Sequence, residues 1–149
     1  MKRMWILVLM MAALVVGAQD VRGLFWGMTQ TEVIAVEGED TLFNNWNTLA
    51  YRRILLEQPA TLVCSFVADK LINVGYEIKN TKIYPRLRYG LIERYGKPTS
   101  DGPLYCAWFL PRTMIVLKYE TAFILLVYED TVAAEQMMKE QQKQDIGEL

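Results

Sequence analysis

The 149 residues contain no histidine. That absence removes, at once, the side chain most used as a general base, as a triad partner and as a metal ligand. No glycine-rich phosphate loop, metal-ligand cluster or nucleophile elbow is present either. Lys and Arg number 16 against 17 acidic residues, for a formal charge of −1, and no dense basic run occurs. That balance argues against a nucleic-acid partner, which calls for a basic patch or stripe. A catalytic reading is left with carboxylates, Lys, Tyr and Cys, and nothing in the sequence calls for a cofactor or a metal. What the chain does have is apolar weight: 52% of its residues are hydrophobic, enough for the core of one domain and against disorder.

The longest apolar run is at the start. Lys2 and Arg3 precede an uninterrupted stretch from Trp5 to Val16, and Val16-Gly17-Ala18 supplies small residues at the positions a signal peptidase reads. The run falls short of the roughly 20 residues of a spanning helix. Residues 1–18 are therefore expected to be a cleaved signal peptide, giving a periplasmic or extracellular protein with no stable membrane anchor. Removing eighteen of 149 residues leaves 131, and losing Lys2 and Arg3 takes the formal charge from −1 to −3. In such a compartment Cys64 and Cys106, both in expected strands, have two readings. One is a bridge worth roughly 4 kcal/mol in loop-closure entropy. The other is a pair of buried thiols packing as small apolar residues.

The rest of the chain is arranged around Tyr84–Pro98. Tyr84, Leu87, Leu91 and Tyr95 recur at three- and four-residue spacing, the signature of one helix face. Pro85 suits the first turn, and Gly96 and Pro98 end the helix. An apolar face flanked by strand patterns implies a sheet to lie on. Upstream, Val21–Met28 is an apolar lead-in. Thr29 and Glu32 then form a capping-box pair, Met28 and Val33 occupy the staple positions, and the helix is expected to run to Glu37 and stop at Gly38. Glu39–Asn47 reads as a polar loop carrying Phe43 and Trp46, two aromatics that either tuck under the loop or form a contact patch.

Strand patterns cover Thr48–Glu57, with a turn at Pro59, then Thr61–Val67 and Leu71–Ile78. After the central helix come Leu104–Phe109, Thr113–Tyr119 and Ala122–Tyr128. The short turns make neighbours antiparallel. The expected fold is α+β: a six-stranded antiparallel sheet built from two helix-plus-three-strand repeats, about Thr29–Ile78 and Lys82–Tyr128, with the helices on one face. A single domain over 19–138 would then be followed by a helix capped by Asp130 or Thr131 and a frayed polar tail over 139–149.

The second set of strands is apolar on both sides. Thr113, Ile115, Leu117 and Tyr119 alternate with Met114, Val116 and Lys118, and Ile124, Leu126 and Tyr128 with Phe123, Leu125 and Val127. A strand apolar on both faces is normally covered on both. The expected partner face is therefore Met114, Val116, Phe123 and Leu125, with Phe43 and Trp46 from the loop. Asp69-Lys70 and Glu129-Asp130 read as turn and cap residues. A hydrolase of unfamiliar type would have to use carboxylates such as Glu57 and Glu77 side by side.

Trp26-Gly27-Met28-Thr29-x-x-Glu32-Val33 resembles the opening of small exported bacterial domains of unassigned function. Leu91-x-x-x-Tyr95-Gly96-Lys97-Pro98, Trp108, Thr113-x-Ile115-x-Leu117 and Leu126-x-Tyr128-Glu129-Asp130 resemble the second half of the same domains. Gly27-Met28-Thr29-x-x-x-Val33 is also similar to the repeat opening of small outer-membrane assembly lipoproteins of the SmpA/OmlA type and of β-lactamase inhibitor proteins. These resemblances imply helices set against an antiparallel sheet, function by binding proteins, and structural rather than catalytic matched residues. The expected function is thus a non-catalytic exported domain that binds a protein or a small ligand in the cell envelope. A carboxylate hydrolase and a purely structural envelope protein are the alternatives, and homo-oligomerisation stays open.

Overall fold

A computed structural model describes residues 21–147. The expected signal peptide, 1–18, lies outside them. The described residues are α+β, with three α-helices and one antiparallel sheet among them. α1 spans Gln30–Glu37, and β1 to β4 span Thr41–Asn45, Thr48–Leu55, Gln58–Val67 and Lys70–Ile78. A 3-10 turn over Thr81–Ile83 leads into α2, Tyr84–Tyr95. Then β5 to β8 span Ser100–Asp101, Tyr105–Phe109, Thr113–Tyr119 and Ile124–Asp130, and α3 spans Thr131–Gly147. The strand order is β1-β2-β3-β4-β8-β7-β6-β5. Two four-strand meanders thus meet through their last strands.

The sheet has eight strands, where the sequence pattern gives six. The segment expected as a polar loop, Glu39–Asn47, contains β1, which pairs with β2 through Phe43↔Ala50, Asn44↔Leu49 and Asn45↔Thr48. Asparagines score poorly as strand formers, but an edge strand needs only one neighbour and tolerates polar side chains. β5 is two residues long, too short for any periodicity to show.

The start of α1 is set by side-chain caps. Thr29 Oγ1 accepts from the Glu32 amide while the Glu32 carboxylate accepts from the Thr29 amide, the expected capping box. Asp69, in the β3–β4 turn, accepts from the Gln30 amide at 3.0 Å and so ties the first helix to the sheet. α1 ends at Gly38, whose φ of 109° a side chain would oppose. In α2, Tyr84, Leu87 and Leu91 are buried as their spacing requires, and Tyr95 packs against the core more loosely.

One side of the sheet makes that core. A single row runs Leu49, Cys64, Val74, Tyr128, Ile115, Trp108 across six strands. Every member is at most 8% exposed, and Val33, Tyr84, Leu87 and Leu91 of the helices belong to the same cluster. The lead-in seals one end. Gly27 N–H donates to the Leu71 carbonyl, Leu71 N–H donates to Met28, and Trp26 Nε1 donates to Thr113 Oγ1 at 2.8 Å. Glu37, nearly buried, holds Arg22 at 2.8 Å and Arg53 at 3.0 Å, fastening the end of α1 to the lead-in and to β2.

Cys64 and Cys106 are both buried and free. They sit on β3 and β6, four strand steps apart in the sheet, or about 19 Å at the usual strand spacing. No bridge spans that, so the buried-thiol reading holds. Around Cys106, Tyr84 Oη and Arg88 Nε are buried without a well-formed hydrogen bond. Both lie against the thiol, a weak acceptor.

The β2–β3 turn sits at Leu56-Glu57 instead of Pro59, which pairs with Ile54 inside β3. Leu56 and Glu57 have φ of 49° and 65°, and Ala68 and Asp69 in the next turn have 49° and 56°. Two successive positive φ values are the demand of a two-residue hairpin that follows strand twist, normally met by Asn-Gly. Here ordinary side chains take that strain. Replacing Leu56-Glu57 by Asn-Gly should raise stability by about 1 kcal/mol and the melting temperature by about 4 °C. Urea and thermal unfolding read this directly, and an unchanged midpoint would place no strain in that turn.

α3 continues helical to Gly147, beyond the expected fraying point at Lys139, with none of its residues buried. Asp130, 4% exposed, caps it: its Oδ1 accepts from the Val132 amide at 3.1 Å, and Arg112 pairs with the carboxylate at 3.3 Å. Among the described residues, no helix is long and apolar enough to cross a membrane.

Candidate functional site: the uncovered sheet face

Alternation along each strand sends every second side chain away from the core. The resulting row on the far side pairs Phe43, Ala50, Val63 and Gly75 across β1 to β4. It continues through Val127, Val116 and Ala107 across β8, β7 and β6. The row is apolar throughout and carries no side chain at Gly75, the middle of the sheet. A polar row lies on one side: Arg52, Thr61, Glu77, Leu125, Lys118, Tyr105. On the other lie Ser65, Asn73, Glu129, Met114 and Phe109.

Neither α1 nor α2 contributes to this face, since their buried residues all belong to the opposite core. Its large apolar groups are accordingly wet. Phe43 is 53% exposed and Phe109 55%, and Met114, Val116, Leu125 and Val127 are only half-buried although they sit on interior strands. Ala50 and Ala107 are buried, but Val63, Gly75, Val127 and Val116 are half-buried on four adjacent strands, which makes an unfinished packing surface.

Of the expected partner residues, Met114, Val116 and Leu125 lie together here on β7 and β8, with Phe123 at the entry to β8 on the same side. Phe43 shares the face at the β1 edge. Trp46 does not lie on the sheet: it stands out from the β1–β2 turn at 80% exposure. Sequence reading missed Val63, Val127, Tyr105 and Phe109. Strict alternation through Tyr105, Ala107 and Phe109 was the available signal, but it needs the β6 register to become a surface.

α3 crosses the lower end of this face above Ile72 and leaves two clefts. One, of about 550 Å³, lies between Val132, Ala133 and Met137 and the Val67–Ile72 turn, with Arg112 and Asp130 at its base. The other, of about 490 Å³, is lined by Ile72, Glu129, Ala134, Met137 and Met138.

The carboxylates a hydrolase would need are not together. Glu57 stands in the β2–β3 turn, 86% exposed and 3.8 Å from Arg86, whereas Glu77 is inside β4 opposite Thr61. Four residues of strand separate their levels, about 13 Å. Among the described residues, no three Cys, Asp or Glu side chains are grouped to hold a metal ion. Comparison with known protein families, with characterised proteins and with solved structures finds no match for this chain.

Proposed function

We propose that the chain is an exported, non-catalytic domain that binds a protein partner on the uncovered face of its sheet, over β8, β7 and β6. The supporting observation is the half-buried apolar pair Val127 and Val116, bordered by Met114 and Leu125 and by exposed Phe109, on strands whose other side is already a complete core. Burying such a row is favourable at about 25 cal/mol per Å². Flat apolar strands without a deep enclosed pocket suit a protein surface better than a small molecule. The apolar run Trp5–Val16 and the small residues before Gln19 support export to the periplasm or cell exterior. We also read the two meanders, about Thr29–Ile78 and Lys82–Tyr128, as copies of one duplicated helix-and-sheet unit. The meeting of their last strands at the sheet centre supports this.

Val116→Asp places a charge at the middle of the row without touching the core. The tagged, exported chain should lose partner retention at least tenfold while its unfolding midpoint moves little. Equal retention by Val116→Asp and the unaltered chain would remove this face from the binding role.

A further inference from the structure

At the rim of the same face stand a knob and a hole, and on it two opposite charges, that the chain itself leaves unmatched. The knob is Trp46, 80% exposed on the β1–β2 turn. The hole is the open cleft of about 490 Å³ between α3 and the sheet, lined by Ile72, Met137 and Met138. The charges are Arg52 on β2 and Glu77 on β4, in one row with Thr61 between them. Two strand steps, about 10 Å, separate them, and neither side chain has a partner among the described residues.

We propose that two copies of this chain pack face to face about a two-fold axis running along β3. Such an axis lays β2 over β4 and β1 over β8 of the second copy while keeping each row in level. Arg52 then faces Glu77 of the second copy, twice by symmetry, across the roughly 10 Å gap usual between packed sheets, which the two long side chains bridge together. The β1–β2 turn falls over the foot of β4 and β8. That delivers Trp46 to the Met-lined cleft of the other copy, where sulfur–aromatic contact is favourable. Between these points Ala50 meets Gly75, the two smallest residues of the row, so the sheets can close. One axis satisfies the charge pair and the knob-and-hole pair together, the self-complementarity an isologous dimer requires. The overlap covers five strands, about 24 Å by 25 Å. That is roughly 600 Å² per copy, or about 1,200 Å² in all, the lower end of what a stable interface buries.

β7 and β6 lie outside the overlap, so Met114, Val116 and Phe109 stay available. The inference shares with the proposed function the premise that this face is uncovered and the use of β8, whose Val127 and Leu125 lie in both surfaces.

The test is sedimentation equilibrium on the full chain, expressed with its own leader and purified after export. A dimer is expected at tens of micromolar. Trp46→Ala, Arg52→Glu and Glu77→Arg should each raise the dissociation constant at least tenfold, and Arg52→Glu combined with Glu77→Arg should restore most of the loss. None of the three positions belongs to the core of the monomer, and circular dichroism verifies that each variant is folded. Val116→Asp should leave the dimer intact, which separates loss of this interface from loss of partner binding. A monomer at 100 µM overturns the inference. So does a dimer indifferent to Trp46→Ala, or one that the double charge reversal fails to rescue.

Discussion

Stability is expected to fall steeply between pH 9 and pH 12, by up to about 4 kcal/mol from Cys64 alone. Cys64 is fully buried on the core side of β3, and burial, helped by the negative charge of Glu37, pushes its thiol from 9.0 up to about 12. The folded chain keeps that proton up to pH 12, whereas the unfolded chain releases it near pH 9. The contribution is therefore complete below about pH 9 and disappears as pH rises through the window. Burial moves Tyr84 in the same direction, to about 12, and raises Tyr51, Tyr76, Tyr128 and Cys106 as well. All of these are neutral when protonated, so their effects share one sign. Urea unfolding at intervals from pH 7 to 11 reads the slope, and Cys64→Ala should flatten part of it. A stability constant from pH 8 to 11 would mean these groups are wet.

Trp108→Ala should cost about 3–5 kcal/mol, a large share of the stability of a domain this size. The side chain is 1% exposed on β6, opposite Ile115, and its Nε1 donates to the Gly96 carbonyl at 2.8 Å. It thus fills the core and holds the end of α2 against the sheet. Truncation leaves an indole-sized cavity and an unpaired carbonyl. Trp108→Phe keeps most of the volume but loses the donor, and should cost about 1–2 kcal/mol. The two variants separate packing from the hydrogen bond. A loss below 1 kcal/mol for Trp108→Ala, measured by urea unfolding, would show that α2 does not depend on this contact.

The parts of the fold that sequence revealed are those with local causes. The capping box at Thr29 and Glu32, the Tyr84–Leu87–Leu91 face and its stop at Gly96 all appear where residue chemistry puts them. The α+β class and the antiparallel pairing followed from short turns between alternating runs. The strand count did not follow, because β1 is defined by its neighbour β2 rather than by its own asparagine-rich composition. Pro59 misplaced a turn because proline in a strand looks like a break, although an amide-free position next to a tight hairpin accommodates it. Met114, Val116 and Leu125 stood out because both sides of their strands are apolar, and two sides need two covers. The link between Trp46 and Met137, or between Arg52 and Glu77, was not legible. It depends on which strand neighbours which, and β4 meets β8 across 46 residues or more of sequence, from Ile78↔Ile124 outward.

The central claim is that one side of the sheet is finished and the other waits for protein. A photo-reactive amino acid placed at Val116, with a second chain carrying it at Arg86 on the outer side of α2, tests this most directly in intact cells. Irradiation should give a discrete cross-linked product of higher mass from position 116 and none from position 86. Equal labelling from both positions, or product from 86 alone, would contradict it.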